Sequence, residues 1–255
     1  MKVTILGTGA ACPGAGEACS GFLVEEENTN LLIDCGTGVL SNLQKSLDLS
    51  NITDIVITHM HADHFFDLIP YCYALYYGLK SPTTFKPRLY LPPDGSKVLY
   101  QVISSLAESN SFVSDSIEVS EYKPEKLLQV GNLSVQFVPV YHYIPTCGLT
   151  ITNNSDTKEI VYSADSGLCE GLSRLVEGAG LFICNIGACL DNYRTYNWGH
   201  LTPEQAGVLA KEGGVRQLLL SHLWAACDRT LMINRASQTF GRLAELAESC
   251  RTYEV

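Results

Sequence analysis

Three imidazoles and a carboxylate fall within six residues, His59-Met60-His61-Ala62-Asp63-His64, in a chain that holds only six histidines. Imidazole nitrogens and carboxylate oxygens are the donor set of a divalent-metal site, and zinc, manganese and iron all suit it. A lone histidine is more often a satisfied core or surface residue than a ligand, but that account does not extend to half the histidines of a chain gathered at one point. The preceding run, Asp54-Ile55-Val56-Ile57, is short, apolar and β-branched, which predicts a buried strand whose end delivers the ligands. While the backbone stays extended, His59, His61 and Asp63 point the same way. His64 breaks that period. It opens a segment of helical length, Phe65 to Tyr77, and is therefore aimed at a second point nearby. Two ions a few ångströms apart can share donors that one ion could not take from so tight a turn.

The elements that would position further donors are legible downstream. His142 follows the alternating strand Leu133 to Val140, Asp165 follows Ile160 to Ala164 within Ser-Ala-Asp-Ser-Gly, and His222 follows Leu218 to Ser221. Strand ends that converge on one edge build sites in α/β proteins. Further back, Met1 to Leu6 reads as a strand leading to Gly7-Thr8-Gly9. Ser20 to Glu25 and Asn30 to Asp34 read as paired strands. Helices are expected at Val39 to Lys45, Gly95 to Ala107, Pro203 to Lys211 and Arg235 to Glu248; the third starts on Thr202-Pro203, a capping hydroxyl and a first-turn proline. Paired strands interleaved with helices at both ends fit two sheets packed face to face with helices outside.

His-x-His-x-Asp-His after a strand resembles the signature of the metallo-β-lactamase superfamily. The resemblance runs from Gly7-Thr8-Gly9 through Leu32-Ile33-Asp34-Cys35-Gly36 to Ser221-His222-Leu223, and is closest to short, arm-less members of the ribonuclease Z-like branch. It implies a four-layer αβ/βα sandwich, two mixed sheets with helices outside, as one hydrolase domain over residues 1–255. It implies that His59, His61 and His142 hold one metal, Asp63, His64 and His222 the other, and that Asp165 bridges them. Paired dications lower the pKa of a bound water to roughly 7 and stabilise charge developing on a phosphoryl or carbonyl oxygen. Asp34 is then a candidate to orient a ligand imidazole, with a capping carboxylate at a turn as its plainer reading. His200, before Leu201-Thr202-Pro203, matches a histidine that assists phosphodiester cleavage in ribonuclease Z, so Asp63 and His200 are the residues placed at the chemistry. Relatives pair that histidine with a glutamate; here Asn185 stands at the corresponding strand end, and an amide orients an imidazole without stabilising its charged form.

Bulk properties narrow the substrate. The net charge of −10, from 17 basic and 27 acidic residues, gives no general attraction for a nucleic-acid backbone. Ribonuclease Z grips tRNA with a long basic arm between the positions of His142 and Asp165, and here only 23 residues separate the two. The resemblance therefore points to a phosphodiesterase acting on a small anionic substrate such as a cyclic nucleotide. Alternatives are tRNA 3′-processing, hydrolysis of a carboxylic ester or lactone, and non-catalytic metal binding on the same fold. Tyr193 and Arg194 are candidate substrate contacts, with Tyr196 and Trp198 nearby; Tyr71, Tyr73, Tyr76 and Tyr77 are aromatic at helical spacing, where core or dimer packing is the commoner role. The ten cysteines show no Cys-x-x-Cys pair and read as reduced thiols. Apolar runs are too short to cross a bilayer and no secretory leader is evident, so a cytoplasmic location is expected. Ribonuclease Z-like proteins are commonly dimers, which implies a homodimer.

Overall fold

The computed structural model describes residues 1–78, 86–107, 111–153, 160–187 and 199–255. Among the described residues fourteen strands run in chain order: β1 (Lys2–Gly7), β2 (Gly21–Glu26), β3 (Thr29–Ile33), β4 (Asp54–Val56), β5 (Arg88–Leu91), β6 (Glu118–Glu121), β7 (Leu128–Val130), β8 (Leu133–Pro139), β9 (Cys147–Thr152), β10 (Ile160–Tyr162), β11 (Leu181–Asn185), β12 (Gln217–Ser221), β13 (Glu245–Leu246) and β14 (Thr252–Glu254). They form two seven-stranded sheets, β14-β1-β2-β3-β4-β5-β6 and β13-β12-β11-β10-β9-β8-β7. Each sheet is antiparallel on one side and parallel on the other. The parallel halves are β3 to β6 and β10 to β13. Parallel neighbours end at the same edge, so residues that follow them can meet.

Alternation along β8 shows how the layers are held. Leu133, Val135 and Phe137 are buried while Gln136 is exposed, and the buried set joins Val3, Ile5, Phe22, Val24 and Ile151 in an apolar layer between the sheets. Fully burying side chains of this size is worth about 1.5–3 kcal/mol each. On the outer face of the first sheet, Leu23, Leu32 and Ile55 pack under the helices Val39–Ser46 and Gly95–Leu106. On the outer face of the second, Val161, Phe182 and Leu218 pack under Glu170–Val176, Pro203–Glu212 and Arg229–Phe240. The order helix, sheet, sheet, helix is the four-layer sandwich expected. Among the described residues no helix is long and apolar enough to cross a membrane.

Three expectations need correction. The helix expected from Phe65 to Tyr77 is divided into Ala62–Phe65, Leu68–Tyr73 and a π-turn at Ala74–Gly78. The helix expected at Arg235 to Glu248 runs instead from Arg229 to Phe240. The Asp228 side chain accepts from Leu231 N at its start, and Gly241, at φ 77°, ends it, which frees Glu245–Leu246 to pair with β12. Among the described cysteines, eight are free thiols, but Cys227 is disulfide-bonded, a pairing that spacing in the sequence does not reveal.

Candidate metal centre

Asp34, His59, His142, Asp165, Asn185 and His222 stand at or just beyond the ends of β3, β4, β8, β10, β11 and β12. Three of these ends carry positive φ at residues other than glycine: Asp34 at 54°, Ala164 at 50° and His222 at 60°. Each such conformation costs about 1–3 kcal/mol and persists where surrounding structure holds it. The motif itself turns sharply. His61 is extended (φ −78°, ψ 147°) and begins the short helix that carries Asp63 and His64. Asp63 therefore leaves the extended period that would have aimed it with His59 and His61, and joins His64 instead. Gly36 makes room for this turn: a Cβ there would lie 1.9 Å from the Asp63 carbonyl oxygen.

The donors gather in two groups that share one carboxylate. His59, His61, His142 and Asp165 form the first, and Asp63, His64, Asp165 and His222 the second, with the ligand atoms of each group within 4.8 Å of one another. In the first, His61 Nδ1 lies 3.1 Å from both His59 Nε2 and His142 Nε2. Since a carbonyl oxygen only accepts, His142 donates its Nδ1–H to Gly199 O at 2.9 Å and keeps a lone pair on Nε2. In the second, His64 donates its Nδ1–H to Asp34 Oδ2 at 2.7 Å. Its Nε2 then faces Asp165 Oδ2 at 3.4 Å and Asp63 Oδ2 at 3.7 Å, buried and without a hydrogen-bond partner. A ring nitrogen facing two carboxylates needs positive charge there, either a proton on the ring or a cation that the deprotonated nitrogen and the carboxylates bind together. The residues therefore fit a pair of divalent cations by chemistry as well as by position.

Electrostatics agrees. Burial lowers the pKa of His59, His61 and His142. His64 goes the other way: burial opposes the charge, yet Asp165 and Asp34 draw it well above the usual histidine range. Burial also opposes ionisation of Asp165, and the facing His222 and His64 imidazoles overcome it, holding the carboxyl well below the ordinary range. Asp165 Oδ2 sits at the centre, 3.3 Å from His222 Nε2 and 3.6 Å from His59 Nε2.

His200 bridges the groups from outside. Its ring stacks on His222 (centroids 5.4 Å, 18°) and meets His142 edge-on (5.1 Å, 76°). It is set there by the helix Pro203–Glu212, whose Thr202 hydroxyl and Gln205 amide cap each other's backbone N–H. Burial pulls its pKa down to about 4. The expected partnership with Asn185 is not made. The Asn185 amide donates instead to Asp165 Oδ1 at 2.8 Å and to the Tyr162 hydroxyl at 2.9 Å, on and just beyond the neighbouring strand β10. Asp34 caps no helix; besides His64 it accepts from Thr58 N at 2.8 Å, from the Thr58 hydroxyl and from the Tyr162 hydroxyl at 3.1 Å.

Thr58 and Tyr162 were not singled out by sequence reasoning. Thr58 adjoins the motif and was within reach of it; the contact of Tyr162 with Asp34 spans 128 residues and leaves no local pattern. Tyr71 belongs to the core, donating to Leu49 O, and Tyr73 stacks on Phe112, whereas Tyr76 and Tyr77 are exposed. Tyr193, Arg194, Tyr196 and Trp198 lie outside the described residues. Cys184 is a buried free thiol outside both donor groups, and burial drives its pKa up.

Residues 1–183 match the family model described as Anti-Pycsar protein Apyc1. The probable metallo-hydrolase YhfI of Bacillus subtilis is 31% identical over 225 residues, 88% of this chain and 87% of that one. The crystal structure of the same protein, titled a metallo-β-lactamase fold protein, superposes with a TM-score of 0.86 over 99% of each chain at 26% identity. The uncharacterized protein Rv1339 of Mycobacterium tuberculosis is 29% identical over 256 residues, 100% of this chain and 92% of that one. Human short-form tRNase Z has a TM-score of 0.75 at 24% identity over 100% and 99% of the two chains, a likeness of fold alone. With its two sheets and two donor groups in that arrangement, the chain belongs to the Anti-Pycsar protein Apyc1 family and has the metallo-β-lactamase fold.

Proposed function

We propose that this metal-dependent hydrolase is a phosphodiesterase acting on a small anionic phosphodiester such as a cyclic nucleotide. The observation that carries the reading is the shared carboxylate: Asp165 Oδ2 lies within 3.9 Å of Nε2 of His59, His64, His142 and His222, between the two donor groups. In the proposed centre His59, His61 and His142 hold one ion, Asp63, His64 and His222 hold the other, and Asp165 belongs to both. Zinc is the ion we assign, with manganese and iron as the ions the same donors accept. Two divalent ions held there supply Lewis acidity towards a phosphoryl oxygen and lower the pKa of water towards about 7.

The rest is done by the chain. Asp34 and Gly199 O keep His64 and His142 in the tautomers that present Nε2 inward. His200, with its pKa near 4, is neutral at pH 7, and among the described residues no carboxylate hydrogen-bonds to it. It acts as a hydrogen-bond donor to the leaving oxygen in the transition state, rather than as a resident imidazolium acid. The name of tRNase Z supports phosphodiester chemistry at fold level, but tRNA itself suits this chain less well. Between His142 and Asp165 the described residues form the antiparallel pair β9–β10, and the net charge is −10.

The test is hydrolysis of bis(p-nitrophenyl) phosphate by metal-reconstituted protein, zinc and manganese separately, beside Asp165→Ala. Turnover that disappears in the variant is expected and licenses assays with cyclic nucleotides. A fully metal-loaded wild type with no turnover removes the phosphodiesterase reading, and carboxylic esters and lactones are then the substrates to try.

A further inference from the structure

The Tyr162 hydroxyl is buried in the second sheet with its ring edge-on to Phe22, centroids 4.8 Å apart. It lies beyond direct reach of the reacting groups, yet its two hydrogen bonds join both donor groups. It donates to Asp34 Oδ2 at 3.1 Å, the oxygen that holds His64 Nδ1–H. It accepts from Asn185 Nδ2, and the other proton of that amide goes to Asp165 Oδ1 at 2.8 Å. The chain His64–Asp34–Tyr162–Asn185–Asp165 is thus continuous and wholly buried.

Its chemical consequence lies at Asp165. A carboxylate can share itself between two cations through one oxygen or through both. Here Oδ1 is occupied by the Asn185 amide, while Oδ2 alone faces the inward nitrogens of four histidines. We infer that Tyr162 is a positioning residue: through Asn185 it occupies Asp165 Oδ1 and leaves Oδ2 as the oxygen that would be offered to metal ions held by the two groups, and through Asp34 it ties that choice to the orientation of His64. The inference rests on the two-metal reading above. A strand residue outside both donor groups would thereby set how two bound ions are coupled.

The experiment titrates the metal-stripped full-length protein with cobalt(II), followed by visible absorption for occupancy and electron paramagnetic resonance for coupling between the ions. The wild type is expected to take two equivalents and to show a coupled pair. In Tyr162→Phe, which loses only the hydroxyl, one equivalent should bind about 10–100-fold more weakly, the loss typical of an outer hydrogen-bond partner, and the coupling signature should change. Asn185→Ala, which frees Asp165 Oδ1 directly, should do the same and serves if the first variant folds poorly. Phe22→Leu loosens packing on the Tyr162 ring without removing a hydrogen bond; it should lower thermal stability and leave cobalt binding and coupling as in the wild type. Tyr162→Phe with two unweakened equivalents and unchanged coupling overturns the inference and leaves the two-metal reading standing. So does Phe22→Leu weakening cobalt as much as Tyr162→Phe, because the role is then structural only. A wild type that takes up fewer than two equivalents overturns both.

Discussion

The donors around His59 and those around His64 share Asp165, but their surroundings differ in charge. The outer partners of the first group are neutral: the Thr58 hydroxyl 3.1 Å from His59 Nδ1 and the Gly199 carbonyl 2.9 Å from His142 Nδ1. His61, in the same group, is only half-buried. In the second group every donor residue is buried, and the outer partner is the Asp34 carboxylate at 2.7 Å from His64. A carboxylate partner raises the basicity of a ligating imidazole more than a hydroxyl or carbonyl does. Burial without water makes each uncompensated charge costly. In the proposed two-metal centre, the second group is therefore the one suited to retain an ion, and the more open first group the one suited to meet solvent and substrate.

The largest effect falls on what the groups have in common. Asp165→Ala should remove the coupling between them and bring phosphodiesterase turnover below detection, with metal content down to about one equivalent or less by mass spectrometry. Two retained equivalents would show that the groups are independent and that the shared carboxylate is dispensable. His200→Asn, the next largest, should cut turnover about 100-fold or more, the usual scale for a lost proton-transfer or donor group. Both ions should stay in place, since the ring touches each group from outside. An equal loss of metal would make His200 a structural support instead.

How much of this contrast was legible beforehand varies residue by residue. The cluster at His59 to His64 is local, and the three later donors each end an apolar run, so strand propensity alone brought them to one edge. The split between the groups was harder. Extended geometry put Asp63 with His59 and His61, but the helix starting at Ala62 turns it towards His222, whose Nε2 lies 3.1 Å from Asp63 Oδ2. Asn185 was seen at its strand end and given the wrong partner, because whether it faces β10 or the His200 loop depends on register between parallel strands, which pattern does not encode. Asp34 gave two readings of equal weight until the fold placed Thr58, Tyr162 and His64 around it. Gly241 was read through as helix although glycine just beyond an amphipathic run is a stop signal.

A smaller effect separates the groups in time. Under a chelator such as EDTA the ion of the first group should leave before that of the second, giving a one-equivalent intermediate. Gly199→Ala should hasten only the first release. Gly199 has φ 73°, and a Cβ there would lie 2.7 Å from His142 Nδ1, so the substitution strains the backbone and displaces that imidazole. Single-step release, or a slower phase that responds to Gly199→Ala, would reverse the assignment of open and closed groups.

The smallest effect is a difference in pH dependence of the metal-stripped protein. His59, His61, His142 and His200 have folded pKa values lowered from 6.5 by burial, that of His200 to about 4. As pH falls below about 6.5 the unfolded chain binds protons that these buried rings refuse, so stability declines on the acid side; the part due to His200 is spent near pH 4. His64 has the opposite sign. Burial opposes its charge, but Asp165 and Asp34 raise its folded pKa well above 6.5. The stabilisation it contributes is full below about 6.5 and disappears as pH rises through that higher value. Asp165, held low, adds stability above the ordinary carboxylate range and loses it only in stronger acid. Thermal melts of stripped protein across this range should therefore show a maximum near neutrality with two limbs of different origin. His200→Asn should flatten the acid limb and leave the alkaline one; Asp34→Asn, which takes a negative charge from His64, should move the alkaline limb to lower pH and leave the acid one. If both substitutions alter the same limb, the two groups are one electrostatic unit and the contrast between a neutral and a charged outer shell has no energetic content.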